Sequence, residues 1–247
     1  MKKYLQYLYM KTASLNLKNI FNLLEKNNNA KFLDLGCGDG NRTMKLSKAI
    51  GTINIYGVEI VDEKIKIAKE NGIKVKKFDL NNRFNFEDNF FDIILSNQVI
   101  EHLYNSDNFL SEIHRVLKPC GYAVISTENA SSWDNIFASI LGWQIFSLTN
   151  FSNKTKSIGN PFSLHRGENT NIDYWGHVRI YNIRGLKEYI EAFGFKVEKI
   201  KGAGYFPLPA ILGDFDKTHC RFMTFKIKKI RPSSNLSRNF QGENIAK

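Results

Sequence analysis

Gly36, Gly38 and Gly40 alternate through the stretch 31–40, KFLDLGCGDG, just after a short apolar run from Phe32 to Leu35. Glycines so spaced let the backbone turn with positive φ and let a ligand lie directly against main-chain amides. Asp34 sits inside the apolar run, where a carboxylate is costly unless it accepts loop amides or holds a cationic group. Glu59 closes the next apolar run and can accept both hydroxyls of a ribose, while Asp79 closes a third and can receive an adenine exocyclic amine. Three acids at the ends of three successive runs suit a ligand with an ammonium, a ribose diol and an adenine. No cation stands ready for a pyrophosphate. The dinucleotide fingerprint G-x-G-x-x-G is also missing, because the third glycine comes one place early and Asn41 stands where the packing glycine belongs.

The elements that must position these groups read as an alternation. A helix over about 4–26 has Leu17, Ile20, Phe21 and Leu24 at helical spacing. The first strand and glycine loop follow, then a helix over 41–50 stopped by Gly51. A β-branched strand at 53–58 leads to a helix capped by Asp62 and closed by Gly72, and a third strand spans 73–78. Residues 91–96 are apolar throughout, as a central strand is. A helix from Ser106 or Asp107 stops at Lys118–Pro119, and a fifth strand covers 122–126. Five strands, most separated by helices, predict a parallel, doubly wound α/β sheet of Rossmann-like type, with its ligand site at the carboxyl ends of the strands. Beyond it, 133–142 reads as one helix, 144–176 has no period, 182–193 is an amphipathic helix, and strands recur at 195–200 and 222–227. We expect one domain over 1–231, with a lid or insertion over about 127–181, and a tail over 232–247 of disordered composition.

Composition narrows the class. The 247 residues suffice for a core without disulfides. Three isolated cysteines, Cys37, Cys120 and Cys220, show no C-x-x-C spacing, which speaks for a reducing compartment and against a zinc site. No run approaches the roughly 18 apolar residues of a membrane span, and the N-terminus lacks a continuous apolar signal region. A cytoplasmic protein is the expectation. The net charge of +11 raises nucleic acid as a partner, but the basic residues are spread thinly except near 226–231.

S-adenosylmethionine has the ammonium, diol and adenine that the three acids suit. The stretches FLDLGCGDGNRT, YGVEI, KKFDL, FDIILSNQVIEHL and LKPCGYAVISTEN, in that order over about 30–130, resemble the class I S-adenosylmethionine-dependent methyltransferases of the small-molecule type found around the ubiquinone and menaquinone methylases. GHVRIYNIRGLKEYIEAFGFKVEKI resembles the carboxyl half of that family. The resemblance implies seven strands with the last, about 219–228, antiparallel. It implies that Asp34, Gly36, Gly38 and Gly40 frame the methionine part of the cofactor, that Glu59 binds the ribose, and that Ile60 lies against adenine. Asp79 and Leu80 would read the adenine edge, and Asn97 would line the pocket near the sulfonium. Some members place a metal on a Glu-x-x-Glu-His cluster. Here Gln98 replaces the first acid of Gln98-Val99-Ile100-Glu101-His102, and no metal is expected.

The methyl donor is already activated, so a base matters only where the acceptor must lose a proton. His102 is the candidate, with His165 or His177 from the lid behind it. The acceptor would be read by an aromatic lid that includes Trp133, Trp143, Phe146, Phe162, Tyr174, Trp175 and Tyr181, with Arg166, His177 and Arg179 open to an anionic group. The expected activity is methyl transfer to a small molecule such as a lipid, quinone or saccharide intermediate. The alternatives are an RNA or protein methyltransferase and a non-catalytic cofactor-binding module.

Overall fold

β1 (Lys31–Leu35) is buried on both faces, and the rest of the chain is built outward from it. Leu33 and Leu35 face one apolar cluster and Phe32 the other, the period-two alternation of a strand sandwiched between helix layers. A computed structural model describes residues 2–152, 157–163 and 176–230. In it seven strands form one sheet in the order β3-β2-β1-β4-β5-β7-β6. β2 (Asn54–Val58), β3 (Lys74–Lys76), β4 (Phe91–Asn97) and β5 (Leu117–Glu128) run parallel to β1. β7 (Phe222–Lys229) inserts antiparallel between β5 and β6 (Phe195–Ala203), as the resemblance implied.

The helices cover both faces. α1 (Lys2–Leu23), α2 (Asn41–Ile50) and α3 (Asp62–Glu70) supply Ile20, Leu46 and Ala68 to the cluster around Phe32. α4 (Ser106–Val116) and α6 (Ile183–Ala192) supply Phe109, Ile113, Leu186 and Ile190 to the cluster around Leu33. The strand order reverses between β1 and β4, so the carboxyl ends of these two strands open the crevice where α/β sheets bind ligands.

Two boundaries depart from the sequence reading. Lys118–Pro119 does not separate helix from strand: β5 begins at Leu117, paired with Phe91, and an irregularity in its pairing with β4 absorbs Pro119 and the left-handed Cys120. A bulge tolerates a proline that cannot donate to the ladder. The third strand is also shorter than expected, ending at Lys76, so Asp79 stands in the following turn.

α1 is anchored by polar groups as well as apolar ones. Thr12, Asn16 and Asn19 are buried. Asn16 donates to Asn97 Oδ1 at 3.1 Å and accepts from Ser126 Oγ at 3.0 Å and Thr224 Oγ1 at 2.8 Å. Asn19 donates to the Gly202 carbonyl at 3.0 Å. The helix is thereby pinned across the carboxyl ends of β4 and β5 and the amino end of the antiparallel β7.

The segment between β5 and α6 begins with α5 (Trp133–Ile140) and closes where Asn129 bridges Tyr181. Asn129 donates its side-chain amide to the carbonyls of Thr218 and Cys220. Buried Arg221 pairs with both Glu128 and Asp134, so the insertion is riveted to the β6–β7 connection. The expected tail over 232–247 lies outside the described residues.

Candidate functional site

Gly36, Gly38 and Gly40 all adopt left-handed φ, at 74°, 60° and 79°. The amides of Gly36 and Cys37 donate to the Val58 carbonyl at 2.9 and 3.0 Å, tying the loop to the end of β2. A side chain at Gly36 would strike Val99 at 2.8 Å, and one at Gly40 would strike Ile73 at 2.4 Å. At Gly38 nothing lies within 4 Å of an added Cβ. The left-handed backbone favours glycine at all three positions; a side chain at Gly36 or Gly40 would also displace a neighbour, whereas Gly38 leaves open space over its backbone.

Beneath the loop, Asp34 is fully buried. One carboxylate oxygen accepts from Thr43 Oγ1 at 2.6 Å, and Oδ1 has no hydrogen-bond partner among the described residues. Burial raises its pKa, with the Arg42 guanidinium and the Thr43 hydroxyl opposing. An orphaned buried acceptor next to a cradle that a Cβ would fill is what an ammonium-bearing ligand needs. Cys37 packs on Gly57, and burial pushes its thiol up to about 12, so it is no nucleophile at neutral pH.

Glu59 acts as a latch. Its Oε2 accepts from the Gly38 amide at 2.9 Å, and its Oε1 accepts from the amides of Ile60 and Val61 at 2.9 and 3.1 Å. Each oxygen can accept two bonds, so Oε2 keeps a lone pair for a ligand hydroxyl. Ile60 is exposed beside it. Asp79 caps its own turn, accepting from the Asn81 amide at 2.9 Å, while Leu80 is buried in the core and can offer a ligand only its backbone. Asn97 is held by Asn16, a partner from α1 that motif reading did not supply. The signal was available: 12, 16 and 19 make a polar stripe at helical spacing.

A second group gathers past β4. His102 Nδ1 lies 3.1 Å from the Gly176 carbonyl, and His177 Nδ1 lies 2.6 Å from the Ser147 carbonyl. Donation to these carbonyls leaves both Nε2 atoms with free lone pairs. The two rings meet edge to face, with centroids 4.6 Å apart. Burial, and then His177, depress the His102 pKa to about 4. Glu101 is fully buried, its Oε2 accepting from Thr127 Oγ1 at 2.8 Å and its Oε1 without a partner among the described residues. Burial raises its pKa to about 8, with the Glu128 charge adding to the rise. Glu101, His102 and His177 bring one ligand atom each within 4.8 Å of one another. Two imidazoles and a carboxylate can hold a divalent cation, and His177 is a donor that the Gln98–His102 run does not contain.

The remaining acceptor-side expectations divide. Trp133 stacks on His219 at 4.4 Å, and Tyr181 stacks on Tyr189 at 6.0 Å, so both rings pack within the fold. Arg179 is committed to Ser106 Oγ and the Tyr104 carbonyl. His165, Arg166, Tyr174 and Trp175 lie outside the described residues.

Residues 1–200 match the family model described as methyltransferase domain. The ubiquinone biosynthesis O-methyltransferase of Rattus norvegicus is 26% identical over 186 residues, 72% of this chain and 47% of that protein. The norajmaline N-methyltransferase of Rauvolfia serpentina is 34% identical over 100 residues, 38% of this chain and 34% of that protein. The chain spans about half or less of the length of the curated relatives it matches. Among solved structures, S-adenosylmethionine-dependent methyltransferases from Thermotoga maritima and Mesorhizobium loti both superpose with a TM-score of 0.59. The first is 18% identical, covering 86% of this chain and 87% of that one; the second is 16% identical, covering 88% and 98%.

Two outcomes follow from this geometry. Gly38→Val is expected to fold with a loss of about 2 kcal/mol from the left-handed backbone, at the upper end because valine is β-branched. It should weaken S-adenosylhomocysteine binding at least tenfold by calorimetry, because its side chain enters the open space. Glu101 binds a proton in the folded state between about 4.5 and about 8 that the unfolded chain releases, so its contribution to stability falls as pH rises through that window. Glu101→Gln should gain on the wild type in urea midpoint from pH 5 to pH 8.

Proposed function

This chain belongs to the methyltransferase domain family, and on that premise we propose that it transfers the methyl group of S-adenosylmethionine to a small-molecule acceptor bearing an O–H or N–H. The observation that carries the reading is the pairing of the orphaned Asp34 Oδ1 with the open cradle at Gly38. Asp34 would receive the cofactor's amino group, and the open space at Gly38 would admit its methionine part. Glu59 holds the loop through Gly38 and keeps a lone pair for the ribose. The Asp79 turn and the Leu80 backbone take the adenine edge, and Asn97, fixed by Asn16, lines the sulfonium end.

The sulfonium supplies an electrophilic methyl, so the chain's task is to orient the acceptor and to receive a proton. Methylating a neutral hydroxyl or amine makes it cationic and far more acidic. A weak base then suffices, and His102, uncharged because burial lowers its pKa to about 4, is such a base. His177 packs on its ring and orients it. The names of the rat and Rauvolfia relatives include both O- and N-methyltransferases, which supports leaving both acceptor atoms within the reading.

A second reading rests on the cluster of Glu101, His102 and His177, which could hold a divalent cation that would polarise an acceptor oxygen. The metal-independent reading is the one we adopt. Gln98 brings an amide where a second carboxylate would stand.

The test is labelled-methyl transfer from S-adenosylmethionine into a fractionated small-molecule extract. Label should enter one fraction, and turnover should be unchanged by chelation. It should drop by about 10²- to 10⁴-fold in His102→Ala without change in S-adenosylhomocysteine affinity. Loss on chelation, restored by a divalent cation, would favour the metal reading. Label entering bulk RNA with a steep salt dependence would replace the small-molecule acceptor. Tight cofactor binding with no transfer anywhere would leave a binding module.

A further inference from the structure

The outer face of α5 is more apolar than its inner one. Asn135 and Ala138 are buried, whereas Phe137, Ile140 and the following Leu141 are exposed, Ile140 by 72%. A helix on the surface of a protein in water shows the reverse, with its apolar stripe turned inward. The inversion recurs on two other elements. Tyr4 and Tyr7, one turn apart at the start of α1, are exposed. So are Leu208, Ile211 and Phe215 on the β6–β7 connection, Phe215 by 83%.

These three elements meet. Tyr4 donates its hydroxyl to the Pro207 carbonyl at 3.0 Å. The Trp133 ring centroid lies 6.0 Å from that of Phe137 and 6.5 Å from that of Tyr205, which brings α5 against the connection. Leu5, Tyr9, Phe137, Phe206 and Pro207 line an open groove between them. The exposed apolar rows therefore converge on one groove instead of lying singly over the surface, and clustered apolar surface of that kind marks an interaction site.

Charge says what covers it. α1 contains no acid, and its Lys3 and Lys11 are exposed, with Lys11 Nζ 5.5 Å from the centre of the Tyr7 ring. Residues 135–153 and 202–213 contain no charged side chain. The acids at the edges are already engaged: Asp134 by Arg221, Asp214 by Lys201 at 2.6 Å, and Asp216 by the Tyr205 hydroxyl at 2.6 Å. A second copy docked through the same face would set lysines against lysines. Lysine is depleted at protein–protein interfaces in general, and a nucleic acid would engage the lysines while leaving the aliphatic side chains in water. Aromatic and aliphatic side chains beside lysines are the composition of segments that lie in the headgroup region of an anionic bilayer.

We propose that the start of α1, α5 and the β6–β7 connection form a docking face for an anionic lipid bilayer. Tyr4, Phe137, Ile140, Leu208 and Phe215 enter the boundary between headgroups and acyl chains, and Lys3 and Lys11 meet the lipid phosphates. The contact is peripheral, since no helix among the described residues is long and apolar enough to cross a membrane. It holds whatever molecule the chain methylates, so it stands apart from the methyl-transfer reading.

The experiment is co-sedimentation of the full chain with vesicles of phosphatidylglycerol and phosphatidylcholine in equal parts, and with vesicles of phosphatidylcholine alone. Partition should be at least tenfold stronger into the anionic vesicles. The double variant Ile140→Ser, Phe215→Ser changes two side chains that stand mostly in water, so its thermal midpoint should match the wild type and report that it has folded. Its partition into anionic vesicles should be at least tenfold weaker. Lys3→Glu with Lys11→Glu should lose the preference for anionic over neutral vesicles. No sedimentation with anionic vesicles, or equal partition of the wild type into both kinds, would overturn the proposal. Undiminished partition of the folded Ile140→Ser, Phe215→Ser variant would leave charge alone as the cause and overturn it too. Self-association of the wild type in light scattering, abolished by that variant and without vesicle binding, would give the face to a second copy instead.

Discussion

The Glu59 carboxylate is the interaction on which the site depends. Its hydrogen bond to the Gly38 amide joins the end of β2 to the middle of a loop 21 residues earlier, and its bonds to Ile60 and Val61 fix its own rotamer. A loop with three left-handed glycines has few conformational restraints of its own and would otherwise lose much entropy on ordering. Glu59 supplies the restraint from outside the loop, and the Val58 carbonyl adds two more bonds. The same carboxylate can therefore hold the loop in shape and keep a lone pair for a diol, so little rearrangement is needed when a ligand arrives.

The two halves of the crevice solve different electrostatic problems. At the loop, a buried acid, Asp34, has one oxygen without a hydrogen-bond partner among the described residues, which favours a cationic partner. Past β4, burial keeps His102 and Glu101 uncharged near neutral pH, which gives a region of weakly basic and weakly acidic groups without a fixed charge. Asp34 would hold the cofactor's ammonium on one side, and His102 would receive the acceptor's proton on the other. α1 matters to the crevice: through Asn16 it fixes Asn97 at the carboxyl end of β4.

Much of this was legible in the sequence, for physical reasons that differ by residue. The sheet followed from the alternation of apolar runs and helical periods, because strands buried on both faces must be continuously apolar, as 91–96 is. Asp34, Glu59 and the glycines were legible because an acid in or after an apolar strand, beside glycines, has few structural uses. Other features were not. Lys118–Pro119 ends most helices, yet here β5 absorbs it, since pairing with Phe91 at one end and a bulge at the other leave the missing amide unneeded. Leu80 carried a motif position while its side chain served the core. The approach of His177 to His102 depends on long-range contacts, the Gly176 and Ser147 carbonyls, that no local spacing encodes. The pairing of Arg221 with Glu128 and Asp134 joins residues 87 or more apart, and only the folded chain reveals it.

The central claim is that the glycine loop and the acids at the strand ends form a site for S-adenosylmethionine and not for a dinucleotide. Its most direct measurement is parallel calorimetric titration of the wild-type chain with S-adenosylhomocysteine and with NADH. Saturable one-to-one binding of the first, with no measurable binding of the second, is the predicted result. Binding of NADH in preference, or the absence of any S-adenosylhomocysteine binding, would contradict it.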